Sequence, residues 1–271
     1  MANKKILITG SQGYIGQHLV HMLETTGLYK VYKLDINDPT NPVDINNLKD
    51  YNEQFDTVIH LAALVNVGES VREPTSYYLT NLLGTINVLG QLKFDNFIFA
   101  STGAAVGAAS PYGISKRAAE DVVTHYCTQQ RKEYTIFRFY NVIGSTGFAP
   151  TNVDGLFYNL NQAELTGSFQ LHGTDYNTKD GTCVRDYVHV NEICYALVTA
   201  IEQPANALEN LGHGNGWTVK EIVELYKQVN NVDFNIIEMP RRLGDLESSV
   251  LTNVSKYMKK NYTIEELVRR Y

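Results

Sequence analysis

The chain has 271 residues, 44% of them hydrophobic and 19% charged, enough for one sizeable core with a smaller lobe and too apolar for a disordered chain. A net charge of −6 without a long Lys/Arg run argues against a nucleic-acid partner, so an anionic ligand must be caught by a few placed arginines. Cys127, Cys183 and Cys194 form neither a metal-ligand pattern nor a disulfide framework, which fits the cytoplasm, and no apolar run is long enough for a membrane partner or a leader ahead of the first strand. Apolar runs at strand length predict strands over Lys5–Thr9, Lys30–Asp35, Thr57–Leu61, Asn96–Ala100 and Tyr134–Tyr140. Helical periodicity falls between them, over Tyr14–Thr26, Ser76–Leu92 and Tyr112–Gln130. Past Gly144 the alternation stops; helices are predicted near Leu156–Leu165 and Val219–Val229. The pattern predicts an α/β protein, a doubly wound parallel sheet over residues 1–144 with a smaller lobe over 145–271, residues 186–202 packing back on the first domain.

Gly10, Gly13 and Gly16 follow the first strand and open the first helix. Glycines there permit a tight turn and a close backbone approach to a pyrophosphate at the helix N-terminus, the Rossmann dinucleotide arrangement. Their Gly-x-x-Gly-x-x-Gly spacing is typical of short-chain dehydrogenase/reductase proteins. Asp35 lies 19 residues beyond Gly16, where a carboxylate accepts hydrogen bonds from a ribose and repels a 2′-phosphate; the cofactor expected is NAD. Tyr112 and Lys116 stand four apart on one helical face, with a hydroxyl at Thr102 on the strand before. An ammonium there is expected to pull the phenol of Tyr112 down from about 10 toward the range of a general base. His60 ends a buried strand, which points to packing. The histidines lack ligand spacing, so no metal site is expected.

Further segments resemble the UDP-glucose 4-epimerases of the extended short-chain dehydrogenase/reductase superfamily. They are His60-Leu61-Ala62-Ala63, Val67-Gly68-Glu69-Ser70-Val71, Tyr77-Tyr78-Leu79-Thr80-Asn81, Phe97–Thr102, Arg138-Phe139-Tyr140-Asn141 and, most specific, the run Asp180–Val190. The resemblance extends nearly end to end. It implies NAD contacts from Tyr14, Ile15, Asp44, Ile45, Leu61, Ala62, Ala63, Asn81 and Phe139 besides the glycines and Asp35. It implies that Tyr112 moves the proton of a sugar 4-hydroxyl, that Thr102 binds the same oxygen, and that Lys116 holds the nicotinamide ribose. Arg185 and Arg242 would hold a UDP-sugar diphosphate and Asp245 its ribose, with Asn141 and Ser249 at the substrate. Read from the residues alone, a surface pair of Arg185 with Asp186 or Asp180 is the competing possibility, ranked below the ligand role. Ser249, small where some members carry a tyrosine, extends the expected substrates to UDP-GlcNAc and UDP-GalNAc. The helices Ser76–Leu92 and Tyr112–Gln130 match a dimer seam, so a homodimer is expected; Tyr77, Leu79, Leu82 and Ile86 supply apolar spacing that would also suit packing on the sheet.

The chain departs from the family in several places. The stretch between Asp35 and Thr57 is short, as though a helix and most of a strand were trimmed, and nine residues separate Thr102 from Tyr112 where longer loops are usual. Val65 stands for a lysine, Asp154-Gly155 for an asparagine pair, and the stretch after Tyr262 is clipped. Two alternatives stand beside the epimerase reading. A dehydratase or decarboxylase would need an acid just after the catalytic hydroxyl, where this chain has Gly103-Ala104-Ala105; a dinucleotide-binding protein without turnover would not need Thr102, Tyr112 and Lys116 together.

Overall fold

The computed structural model describes residues 3–49, 51–144, 147–148, 155–242, 244–258 and 262–269. Asp154 lies outside them. The chain divides into two compact units, the first formed by Met1–Phe139 with Cys194–Glu209, the second by Tyr140–Ile193 with Asn210–Tyr271.

In the first unit the strands are β1 (Lys4–Thr9), β2 (Tyr29–Leu34), β3 (Gln54–His60), β4 (Lys93–Thr102) and β5 (Glu133–Phe139). They stand in the order β2-β1-β3-β4-β5, followed by β9 (Ala207–Leu211), and the pairings among the first five are all parallel. The interior strands read as nearly unbroken apolar runs because helices cover both faces; Ile6, Leu7, Ile8, Phe97, Ile98 and Phe99 are all fully buried. Helix α1 (Tyr14–Thr26) buries Leu19 and Leu23 and stops at Gly27, whose φ of 63° is cheap only without a Cβ. Between β2 and β3 the chain makes a single 3₁₀ turn, Ile45–Asn47, where a crossover helix would be usual, and β2 is left as the edge of the sheet.

A helical run follows β3: α2 (Val67–Arg72), α3 (Pro74–Tyr77), a π turn (Tyr78–Leu83) and α4 (Gly84–Gln91). The two uses of the apolar spacing, a seam and packing on the sheet, divide across the π turn, whose wider pitch shifts which residues face out. Tyr77 is fully buried and Leu82 packs on the sheet core; the outward apolar residues are Leu79, Leu83 and Ile86, at 48%, 51% and 42% exposed. Helices α5 (Ala104–Gly107) and α6 (Pro111–Gln130) follow β4, and Ser110 caps α6 by accepting the Gly113 N–H at 3.2 Å, with Pro111 preset at the first helical position.

The second unit is built on β8 (Val184–His189), paired in parallel with β6 (Asn141–Ile143) and β12 (Ser248–Ser249) and antiparallel with β10 (Gly216–Thr218). Strands β7 (Ser168–His172) and β11 (Asn235–Met239) form a separate parallel pair. Helices α7 (Leu156–Thr166), α9 (Val219–Asn230) and α10 (Ile264–Val268) complete its core around Phe157, Leu160, Tyr226 and Leu267. Helix α8 (Val190–Glu202) begins in this unit and continues into the first from Cys194, where the Ala200 carbonyl accepts from Asn96 Nδ2 at 3.0 Å.

Candidate active site

Sheet order reverses between β1 and β3, and at their carboxyl ends lies the crevice that open parallel sheets use for ligands. Gly10 sits there with φ 72°, and a Cβ on it would lie 2.6 Å from Ala62 N. A Cβ on Gly16 would lie 2.2 Å from the Gly10 carbonyl oxygen, so the turn closes on α1 only with glycine at both places. Gly13 is the N-cap of α1 without a side-chain cap bond, and the first turn carries no acid, which leaves the helix dipole to an outside anion. Ser11 Oγ in this turn is buried with no hydrogen-bond partner. Asp35, 7% exposed, follows β2 and accepts the Gln12 and Asn37 N–H groups, each at 2.8 Å, which holds its carboxylate against the turn. Cradle, orphaned hydroxyl and carboxylate fit a dinucleotide, with Tyr14 and Ile15 opening the helix behind them. Asp44 spends its carboxylate on its own turn, accepting Asn46 N–H at 2.9 Å, and Ile45 lies against Gly84, where a Cβ would come within 2.8 Å of Ile45 Cδ1.

A chain of buried hydrogen bonds runs from this turn to helix α6. The Ala62 N–H donates to Thr9 Oγ1 at 3.3 Å, and Leu61 N–H to the Thr9 carbonyl at 3.1 Å, seating Leu61-Ala62-Ala63 beside Gly10. Thr9 Oγ1 and His60 Nδ1 are 2.6 Å apart, and His60 Nε2 and Thr85 Oγ1 3.0 Å. Thr85 gives its proton to the Asn81 carbonyl at 2.7 Å, so it accepts from Nε2–H, and Nδ1 accepts from Thr9. Burial, then the nearby Lys116, pushes the imidazole down to about 3, so His60 stays neutral in this one tautomer. Asn81, inside the π turn, accepts from Leu64 N–H at 2.8 Å and donates to the Leu64 carbonyl at 2.9 Å and to Ser115 Oγ at 3.2 Å. Ser115 in turn donates to the Tyr112 carbonyl at 2.8 Å. The side chains from Thr9 through His60, Thr85 and Asn81 to Ser115 are at most 1% exposed.

Thr102 ends β4 opposite Phe139, the last residue of β5. Its side chain lies close enough to Tyr112 to act on that phenol, and its oxygen accepts Ala104 N–H at 3.2 Å. Gly113 makes the short link work, since a Cβ there would lie 2.5 Å from the Ala104 carbonyl oxygen. The expected depression of Tyr112 does not hold in this chain: burial pushes its phenol up, opposed by the Thr102 hydrogen bond. Lys116, 3% exposed, is pushed down to about 7 by burial, opposed by Glu120, and its amine lies 4.1 Å from the centre of the Phe99 ring. A lysine so desolvated carries too insecure a charge at neutral pH to pull hard on a neighbour. Glu120, 2% exposed, is itself engaged by Ser101 Oγ at 2.5 Å and by Arg138 Nε and Nη2 at 2.7 and 2.6 Å. Ser115, Glu120 and Thr85 carry this architecture, and the sequence analysis assigned none of them a role.

In the second unit Arg185 and Ser249 are register partners on β8 and β12. Arg185 Nη1 donates to the Leu246 and Val184 carbonyls at 2.7 and 3.0 Å, and Nη2 lies 3.7 Å from Asp245 Oδ1. The surface pairing with Asp186 or Asp180 is therefore wrong. Asp186 is fully buried and accepts the N–H groups of His213, Gly214 and Leu251, while Asp180 accepts from Thr182 and Thr218. Asn141 donates to the Asp186 carbonyl at 3.2 Å, and Arg242 is exposed on the segment leading to Asp245. Among the described residues there is no cluster able to hold a metal ion, and no helix is long and apolar enough to cross a membrane.

Residues 6–212 match the family model described as the NAD dependent epimerase/dehydratase family. A UDP-glucose 4-epimerase of Rhizobium meliloti is 30% identical over 93% of this chain and 90% of its own length. UDP-arabinose 4-epimerase 1 of Arabidopsis thaliana is also 30% identical, over 95% of this chain and 75% of its own. The crystal structure of UDP-glucose 4-epimerase from Bifidobacterium longum in complex with NAD+ and UDP superposes with a TM-score of 0.87 at 25% identity, covering 97% of this chain and 96% of that one.

Proposed function

This chain belongs to the NAD dependent epimerase/dehydratase family, and we propose that it inverts C4 of UDP-hexoses, interconverting UDP-glucose and UDP-galactose. The observation that carries the reading is the burial of Tyr112 and Lys116 on one helix next to Thr102 at the end of β4, in a family whose cofactor is NAD. Gly10, Gly13, Gly16 and Asp35 hold that cofactor, with Asn81 fixing the Leu64 backbone beside it. When bound, NAD supplies a reversible two-electron oxidation at the sugar C4. Tyr112 takes the 4-hydroxyl proton and later returns it, Thr102 donates to the same oxygen as its charge develops, and Lys116 favours the phenolate once a ribose engages its amine. Thr102 is followed by Gly103, Ala104 and Ala105, so the added acid that a dehydratase needs is missing from that position. Arg185 and Arg242 hold the diphosphate, Asp245 the uridine ribose, and Asn141 the sugar end. Ser249 leaves space for a 2-acetamido group, which adds UDP-GlcNAc and UDP-GalNAc. A second reading, a UDP-pentose 4-epimerase, is favoured by the likeness to the Arabidopsis enzyme. Leu79, Leu83 and Ile86, and Ile114 on α6, are exposed apolar residues, and we infer that these helices close a homodimer; light scattering that finds only monomer at micromolar concentration removes this.

The deciding experiment incubates the protein with UDP-galactose, UDP-GalNAc and UDP-arabinose in turn and resolves the products by anion exchange. Denatured protein is assayed for released NAD in parallel. UDP-glucose from UDP-galactose, with nicotinamide released and none added, supports the reading. No conversion of any sugar, or NADP in place of NAD, overturns it.

A further inference from the structure

Tyr77 is fully buried, and its ring stands edge-to-face with that of Tyr112, 6.3 Å between centroids at 78°. Its hydroxyl donates to Glu69 Oε2 at 2.8 Å and accepts the Asn66 N–H at 3.1 Å. Asn66 Oδ1 in turn accepts the Glu69 N–H at 2.7 Å as the N-cap of α2, so the three residues form a closed ring of hydrogen bonds around one phenol oxygen. Burial and the Glu69 carboxylate both raise that phenol further above its ordinary range, which excludes Tyr77 as an acid or base and keeps it a donor.

Tyr112 needs such a wall. Its backbone is set by the α6 cap and by Ser115, but a tyrosine χ2 well is broad and lets the ring rock about its own axis. An edge-to-face neighbour narrows that well, provided the neighbour cannot move itself. The hydrogen-bond ring at Tyr77 supplies that rigidity from a helix on which Glu69 is exposed.

We propose that Tyr77, anchored by Glu69 and Asn66, is a positioning residue that fixes the orientation of the Tyr112 phenol for proton transfer. For turnover this rests on the epimerase reading above; the orientation itself does not. The NAD-loaded enzyme is compared as wild type, Tyr77→Phe, Glu69→Ala, Glu69→Gln and the Tyr77→Phe/Glu69→Ala pair. Tyr77→Phe and Glu69→Ala each lower kcat about five- to tenfold with KM for the UDP-sugar unchanged, the orientation loss expected of a misaimed group. Glu69→Gln, whose amide oxygen still accepts, restores kcat, and the pair is no worse than either single change. Independently of activity, protein labelled with 3-fluorotyrosine is examined by fluorine NMR, with the Tyr112 resonance assigned by its loss in Tyr112→Phe. That resonance shifts or broadens in Glu69→Ala and returns in Glu69→Gln. Unchanged kcat and an unchanged Tyr112 resonance overturn the proposal, as does a change confined to KM or a Glu69→Gln as impaired as Glu69→Ala. Should the wild type epimerise no UDP-sugar, the functional reading falls while the fluorine spectra still decide the wall.

Discussion

The candidate site groups of the two units sit in different surroundings. In the first, Thr9, His60, Thr85, Asn81, Ser115, Lys116 and Glu120 are at most 3% exposed, and each hydroxyl and amide of the chain from Thr9 to Ser115 has a stated partner. In the second, the groups assigned to the substrate are half-buried or exposed; Arg185 and Asp245 keep 15% and 28% of their side chains in solvent and stand 3.7 Å apart. The buried polar groups of that unit serve its own frame: Asp186 ties three backbone N–H groups together, and Glu192 meets His213 at 2.9 Å. A buried polar chain has to be complete, because each unmet group costs its full desolvation, and completeness fixes geometry. A half-exposed arginine is cheap to leave waiting and takes its full value only from a phosphate. In the reaction proposed above, proton transfer falls to the buried groups of the first unit and substrate binding to the more open groups of the second.

Loss of the reacting group tests the rigid side hardest. Tyr112→Phe keeps the ring against Tyr77 but removes the hydroxyl, and kcat should fall by roughly 10²–10⁴ with NAD content and melting temperature preserved. Near wild-type turnover would place the proton chemistry elsewhere. On the adaptable side, Arg185→Ala should raise KM for the UDP-sugar by about 10–100-fold while kcat stays close to wild type. A loss in kcat instead would mean that Arg185 belongs to the rigid frame. Smaller still, Ser249→Tyr should lower kcat/KM for UDP-GalNAc by about tenfold and spare UDP-galactose, since overpacking costs about 1–3 kcal/mol. Equal effects on the two sugars remove Ser249 from the pocket wall.

Lys116 offers the smallest effect, read on stability. Its amine titrates at about 7 in the fold against an ordinary 10.5, so between those values the unfolded chain holds more protons and stability rises with pH. The penalty of burying its charge is therefore full below pH 7 and relieved above 10.5. Lys116→Met should be more stable than wild type at pH 6, on the order of 1–3 kcal/mol, and lose that advantage toward pH 10. Urea unfolding at pH 6, 8 and 10 measures it; an advantage independent of pH would show that Lys116 is not a buried charge.

Much of the first unit is legible in the chain because its signals are local. A glycine whose φ must be positive, a serine-proline helix start and a four-residue Tyr–Lys spacing each act within one turn of backbone. The spacing of Tyr77 suits both a seam and the core, and the fold decides for the core; the π turn at Tyr78–Leu83 is written in no single residue type. The partner of Arg185 was missed for a different reason. Asp186 is its neighbour in sequence, but successive residues of a strand point to opposite faces, and β8 sends Asp186 inward while Arg185 turns toward Asp245.

The sequence by itself determined the parallel α/β organisation and the glycine turn at Gly10, Gly13 and Gly16, since apolar runs and backbone sterics settle these, and it singled out Thr102, Tyr112 and Lys116 as candidates. Only the tertiary structure decided the proton affinities and the orientations. Burial raises Tyr112 and lowers Lys116, Thr85 and Thr9 choose the tautomer of His60, and Tyr77 meets Tyr112 across two helices. Desolvation and ring packing depend on which distant segments exclude water from a group, and that is a property of the folded chain.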